Sequence, residues 1–553
     1  MADDAHGPER RVFAHARALL EVVFSGGLKS SAFVLLGVVA FSTAQILALY
    51  LITRTLSVYQ AGGTPTAELV RFVVAIVVIG WAEFTLRTGV PRIITRALVR
   101  RQRRIVHELR RVDLPALEAI GGEQIQHTMT ADVARVVESG TEIIVLADSW
   151  LTLGLLLVYT ILTSSDPLAL YVVLALICAV PITLAGLHAE RRARVFEDGG
   201  DRALAIVDEL TAGFAQVKLH AERSEAMAAA HAAQTEAHVE RGASMYRASN
   251  LAHGLGDLLL FGVIGVVGLG YAKLTPDNTM NAQHLLITAL FMFEPISHII
   301  LDQLSVARAG AALLRIDDLL ARLAAAPGQA PPTAADVVEP KTFSSLVLEG
   351  VSYGYSAGEH RSGFFLGPVD FHLSPGEIVF ITGANGSGKS TLLKLITGLY
   401  PRDSGSYHID GQLVPRSPPV STRALFAATL ADFVLFTRSY GLEDVEPARI
   451  DAMLAEMKLD EIVTHAEGRF STVELSTGQR KRLALVIALL RDRPIYVFDE
   501  WAADQDPEFR EQFYRRVLPS LRAKGKAVVV VTHDDRYFGV ADRRIHLERG
   551  GIS

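Results

Sequence analysis

The sequence predicts two parts: an α-helical membrane domain of six spans with long cytoplasmic helical extensions, then an α/β domain with a P-loop. Three observations predict this. Six stretches are long and apolar enough to span a bilayer, which takes roughly 20 residues as a helix. The run "GANGSGKS" sits between an expected strand and an expected helix. Between these regions lies an alanine- and proline-rich stretch without periodicity.

Composition allows this plan. The chain has 553 residues, 50% of them apolar, and a mean hydropathy of +0.28. That suits a membrane domain joined to a soluble one. The net charge of -6 is mild and argues against a nucleic-acid partner. Cys178 is the single cysteine, so no intrachain disulfide forms. The N-terminus mixes Glu9, Arg10, Arg11, Arg17 and Glu21 with apolar residues and lacks the apolar core of a signal peptide. It reads either as a surface helix or as a helix lying along the cytoplasmic membrane face.

The expected spans are Ser31–Thr53, Leu69–Thr88, Glu142–Thr163, Pro167–His188, Leu251–Lys273 and His284–Leu304. The segments after spans one, three and five are short and almost free of lysine and arginine. Those after spans two and four are long and basic, the first reading "RIITRALVRRQRRIVHELRR". Positive residues stay on the cytoplasmic side, so both termini are expected inside. The long segments are rich in Ala, Glu and Leu, and read as helices continuing the spans past the bilayer; separate soluble hairpins are the competing reading.

Residues 1–322 are therefore expected to form the membrane domain, 323–340 a linker and 341–553 the ATP-handling domain. In the last, short β runs alternate with helices, the pattern of a parallel α/β sheet. Glycines of "GANGSGKS" let backbone N–H groups wrap phosphates. Gly383, Asn385, Gly386, Gly388, Lys389, Ser390 and Thr391 form the expected nucleotide-binding loop. Lys389 brings charge to the β- and γ-phosphates, and the Ser390 hydroxyl ligates Mg²⁺. "IYVFDE" is a buried strand ending in Asp499, a metal-site acid, and Glu500, a general base. His533 follows the buried run "VVVVT", in reach of a γ-phosphate oxygen. Tyr355 offers a ring to adenine, with Tyr353 as the competing choice. Ser476 and Gly478 open a basic helix whose N-terminus attracts anions, a second phosphate-binding helix start.

Together these motifs resemble the ABC ATPases over residues 344–553. "LSTGQ", Leu475 to Gln479, resembles the ABC signature, which in that family binds ATP held by the P-loop of an opposing ATPase domain. The resemblance implies that Ser476, Gly478 and Gln479 serve a second chain, that Asp506 is the D-loop aspartate, and that the chain works as a dimer with ATP and Mg²⁺. Six spans ahead of such a domain resemble an ABC exporter half-transporter in a bacterial inner membrane, with the ATPase domain cytoplasmic. "LSTGQRKRLALVIALL", "FDEWAADQDPEFREQFY" and "THDDRYFGVADR" resemble the cyclic-peptide and siderophore exporter family, which includes the pyoverdine, syringomycin and lasso-peptide exporters. That implies a peptide-like substrate. The glutamine that most ABC ATPases carry between P-loop and signature is missing: "TLADFVLF" has Ala431 there, with Asp432 beside it as a candidate metal-facing acid or a surface residue, and the cyclic-peptide exporters look similar at this point.

Charged residues within spans usually face a cavity or a partner. Glu83 and Arg87 lie four apart, as do His253 and Asp257; Glu294, His298 and Asp302 share one helical face. Lining of the substrate path and interhelical bonding are the competing readings. No peptidase domain is read before the first span. Siderophore import on the same fold, a lipid or drug flippase and a non-transporting regulator are the alternatives to export.

Overall fold

A computed structural model describes residues 19–24, 27–163, 184, 188, 191–192, 195–196, 199, 202–265, 279–329, 342–355 and 363–553. The chain divides into two compact units, Met1–Ile105 with Glu123–Ala321, and Val106–Gly122 with Arg322–Ser553.

The first unit is helical. Its helices include α1 (Leu28–Gln60), α2 (Thr66–Leu109), α4 (Gly140–Thr163), α5 (Ala221–Gly265), α6 (Thr279–Leu301) and α7 (Gln303–Ala325). Helical stretches at Leu28–Gln60, Thr66–Leu109 and Gly122–Thr163 are long and apolar enough to cross a membrane, and Leu286–Ile299 is a shorter apolar helix. The first three expected spans fall within them. Almost all of the fourth, Pro167–His188, lies outside the described residues, as does the end of the fifth. The sixth is not continuous: α6 ends at Leu301 and α7 begins at Gln303. Leu35, Leu36, Val70, Val77, Trp81, Phe84 and Leu162 are exposed, apolar surface of the kind that faces lipid.

Small and polar residues join these helices. A Cβ at Gly89 would stand 2.6 Å from the Phe33 ring, and one at Gly37 would stand 2.7 Å from Leu86. Glycine at both positions therefore lets α1 and α2 approach. The Ser42 hydroxyl donates to Asp148 at 2.5 Å, Thr152 donates to Gln45 at 3.2 Å, and Thr53 meets Tyr159 at 3.1 Å. Further along, Arg315 grips the buried Asp132 at 2.6 Å and Arg101 pairs with Asp317 at 2.8 Å.

The second unit holds two sheets. The six-stranded one contains β3 (Ile378–Gly383), β6 (Phe426–Thr429), β7 (Ile495–Asp499), β8 (Ala527–Val531), β9 (Arg543–Glu548) and β10 (Gly551–Ile552), in the order β10-β9-β3-β8-β7-β6. All pairs but β9–β10 are parallel. The other is antiparallel, ordered β2-β1-β4-β5, from β1 (Leu346–Gly354), β2 (Phe365–Leu373), β4 (Ser404–Ile409) and β5 (Gln412–Leu413). Every residue of β7 and β8 is buried, as expected of parallel strands covered on both faces. Two boundaries differ from expectation. Helix α7 runs to Ala325, because Leu323–Ala325 continue its apolar periodicity before Pro327 ends it. Residues 106–122, read from sequence as part of the membrane domain, belong to the second unit. There the short helix α3 (Leu114–Ile120) is tied down by Tyr400, which donates to Glu118 at 2.6 Å, and by Ser417, which donates to Asp113 at 2.8 Å.

Candidate functional site

The carboxyl ends of β3, β7 and β8 open at one edge of the parallel sheet, where ligands bind in such folds. Val531 lies opposite both Ile381 and Asp499, so the three strand ends are level. From β3 the chain enters the glycine loop. Gly383, Gly386 and Gly388 have φ of 144°, 79° and 104°, conformations that disfavour side chains. A Cβ at Gly383 would stand 2.3 Å from the Leu547 carbonyl oxygen. Asn385 is at the exposed tip. Buried Ser387 Oγ has no hydrogen-bond partner among the described residues, so the loop holds an unspent polar group. Helix α8 (Lys389–Ile396) follows directly. The Lys389 ammonium donates to the Gly383 and Ala384 carbonyls at 2.8 and 3.0 Å, which curls this charge over the cradle. These features fit a polyphosphate.

Ser390 donates to Asp499 at 2.9 Å. Burial pushes the Asp499 carboxyl above its usual range; the Ser390 bond opposes this, neighbouring Glu500 adds to it, and the Ala431 N–H and Lys389 oppose it. A hydroxyl beside a buried acid is a fitting pair of oxygen donors for a divalent cation. Asp432, the other metal candidate, points elsewhere: its carboxylate is 71% exposed and lies 4.0 Å from Lys394. The Ala431 amide, not the Asp432 carboxylate, is the group from this loop that touches Asp499.

Glu500 has φ 49° and ψ 35°, a left-handed conformation that costs a non-glycine residue of order 1 kcal/mol or more and persists where its surroundings fix it. Its N–H donates to Val531 at 3.1 Å, and its carbonyl accepts from the Lys481 ammonium at 2.6 Å. The carboxylate lies 3.2 Å from His533 Nε2. His533, expected to face phosphate, thus sits against the expected base. The two line a cavity of about 300 Å³ with Thr532, Asp534 and Arg510. Lys481 was not singled out from sequence, where it is hidden in the basic run "RKR". It also pairs with Asp504 at 2.6 Å.

Tyr355 is half-buried, its hydroxyl 3.1 Å from Thr391 Oγ1. Tyr353 is buried in the core between the sheets, edge-on to Tyr355 at 5.2 Å. Of the two, Tyr355 has the accessible ring. Phe364, missed in the sequence, reaches the loop: its ring lies 2.9 Å from where a Gly388 Cβ would stand.

Ser476 caps helix α9 (Thr477–Arg491) in a reciprocal box, accepting from the Gln479 N–H at 3.4 Å while its own N–H donates to the Gln479 side chain at 3.1 Å. Gln505 donates to the Gly478 carbonyl at 3.0 Å. Asp506 caps its own helix α10 (Pro507–Gln512), accepting from Phe509 at 3.0 Å. The side-chain bonds of this helix start thus run between Ser476 and Gln479 and from Gln505 to Gly478.

The first unit has a cavity of about 440 Å³ among α1, α2, α4 and α6. Glu83, Arg87, Glu294 and His298 line it, together with Asp148 and Gln45. Glu83 and Arg87 pair at 2.9 Å. Asp302 is not part of the lining; it sits at the break between α6 and α7 and meets His298 at 2.8 Å. The side chains of His253 and Asp257 lie outside the described residues. Asp148 was missed because a lone acid in a long apolar run has no sequence partner.

The fold and the loop define a P-loop ATPase domain following a helical, membrane-type unit. Residues 366–503 match the family described as "ABC transporter". The chain is 44% identical over 216 residues to the ATP-binding protein SyrD of Pseudomonas syringae pv. syringae, covering 38% of each chain. It is 33% identical over 227 residues to an ATP-dependent lipid A-core flippase of Burkholderia pseudomallei (strain 1710b), covering 39% of this chain and 38% of that one. The chain therefore matches less than two-fifths of the length of these relatives. A solved structure of a bacterial Atm1-family ABC exporter with ATP bound superposes with a TM-score of 0.68 at 19% identity, over 100% of this chain and 95% of that one. Residues 366–503 thus carry an ABC-type ATPase domain, and the chain as a whole has the fold of the exporter with which it superposes.

Proposed function

We propose that this chain exports a peptide-like small molecule across the bacterial inner membrane, driven by ATP, as a dimer of two copies. The observation that carries the reading is the level meeting of the glycine loop, Asp499, Glu500 and His533 at one sheet edge, in a chain with membrane-length apolar helices. Lys389 and the loop amides hold the phosphates, and Tyr355 stacks on adenine. Ser390 and Asp499 hold Mg²⁺, which when bound neutralises charge on the β- and γ-phosphates. Glu500 takes the proton of the attacking water, and His533 fixes its carboxylate. Ser476, Gly478, Gln479 and Asp506 complete the site of the second chain. The peptide-like cargo rests on the local wording around the signature and after Glu500.

In Glu500→Gln, ATP binding should persist while hydrolysis falls at least about tenfold, since losing a general base typically costs 10²–10⁴-fold. Near-normal turnover would remove Glu500 from that role. Similarity to a lipid A-core flippase supports lipid transfer as the second reading. ATPase of the reconstituted protein, stimulated by a cyclic peptide but not by lipid A, separates the two.

A further inference from the structure

We infer that the 440 Å³ cavity of the helical unit is a subsite for an organic cation, an ammonium or guanidinium group of the cargo, anchored by Asp148. The inference rests on the export reading above and names the chemistry of its cargo.

Asp148 is 8% exposed, yet it lines the cavity. Both hydrogen bonds it receives, from Ser42 at 2.5 Å and Thr152 at 3.4 Å, go to Oδ1. Among the described residues no hydrogen bond reaches Oδ2. Oδ2 is therefore the oxygen of this largely buried residue left open to the cavity, and ionisable groups inside a helix bundle usually face a partner or a ligand. The cavity's own cations are already engaged. Arg87 is held by Glu83 at 2.9 Å, and His298 lies between Asp302 at 2.8 Å and Glu294 at 3.8 Å. Glu83 is matched by Arg87 and Glu294 by His298, so of the three carboxylates that line the space Asp148 is the one with no cationic neighbour in the lining. The remaining charge calls for a cation.

The rest of the lining fits an organic one. Phe41, Ile79, Leu86 and Phe291 give an apolar wall, and Gln45 adds a polar group beside Asp148. Among the described residues no group of metal-ligating side chains has the arrangement of a metal site. A small-molecule pocket measures roughly 300–1,000 Å³, so the cavity takes one or two residues of a peptide rather than all of it. The cation is thus a side chain of the cargo.

The full-length protein in lipid nanodiscs tests this with two fluorescent cyclic hexapeptides, one carrying lysine and the other Nε-acetyl-lysine. Wild type should bind the lysine peptide about tenfold or more tightly than the acetylated one. Asp148→Asn, which keeps an oxygen for Ser42, should lose that preference while its affinity for the acetylated peptide stays the same. Glu294→Gln, on the open side of the cavity, should reduce the preference without abolishing it, which guards against misfolding of the buried variant. Equal binding of both peptides by wild type, or equal losses for both in Asp148→Asn, overturns the subsite. ATP-dependent accumulation of peptide in inside-out vesicles is read separately. If charge-selective binding persists without accumulation, export fails and the subsite stands.

Discussion

At Asp499 the chemistry of the site opposes its stability. Burial raises the folded-state pKa above the ordinary 3.8. Between that value and the raised one, the folded chain holds a proton that the unfolded chain has released, so stability falls as pH rises through this window. Above it the penalty is constant; below 3.8 it is gone. Asp499→Asn keeps an acceptor for Ser390 and removes the charge. Its ATPase unit should therefore melt higher than wild type at pH 7, by about 2–4 °C for each kcal/mol relieved, with the margin vanishing near pH 4, while hydrolysis is lost. Thermal scans at both pH values check this, and a variant that melts lower at pH 7 would show that the ionised carboxylate stabilises the fold. Glu500 tells a related story through its backbone. Its left-handed conformation is fixed by the Val531 carbonyl on one side and the Lys481 ammonium on the other. Lys481→Met should thus slow hydrolysis by disordering the 500–504 turn, and rapid-quench turnover with unchanged nucleotide affinity would reveal it.

At the scale of elements, α3 is instructive. Seven residues make a helix too short to persist alone, so its order comes from what holds it. Glu118 accepts from Tyr400 at 2.6 Å and from Lys394 at 3.1 Å. Tyr400 is a strong anchor because burial, with Glu118 next to it, pushes its hydroxyl well above the usual range and keeps it a donor. The same hydroxyl lies 3.5 Å from that of Tyr355, whose other neighbour is Thr391 of the loop helix. In Tyr400→Phe the amides of residues 114–120 should exchange roughly tenfold faster, equal to about 1.4 kcal/mol of lost protection. Unchanged exchange would mean that Lys394 and the Ser417 bond to Asp113 suffice to hold the helix. None of this was legible in the sequence, because Glu118 and Tyr400 are 282 residues apart. What was legible had a local cause: the P-loop from its glycine spacing, strands β7 and β8 from unbroken apolar runs, and the first apolar helices from their length. The exposed setting of Asp432 was not legible, because adjacency to an expected position says nothing of which way a side chain turns. Asp148 and Phe364 stayed hidden because their roles arise only where separate elements converge.

For the whole molecule, the question is why one chain should carry two phosphate-binding helix starts. The glycine loop at α8 faces Asp499, while the α9 start is bonded to its own Gln479 and to Gln505. On the proposed reading one chain presents two half-sites, and a dimer in which each chain's α9 start meets the other's loop would make two complete sites by twofold symmetry. Complementation tests this. Lys389→Ala disables the loop half-site and Ser476→Arg the other, so each homodimer has two damaged sites. In a mixed dimer both lesions fall in one site and the second site is intact. Random mixing makes half of all dimers mixed, so ATPase should recover to about one quarter of wild type if single sites turn over independently. Each variant alone should be inactive. No recovery, together with a crosslink that joins Ser476 to Lys389 within one chain, would place both half-sites on the same nucleotide and rule out the shared arrangement.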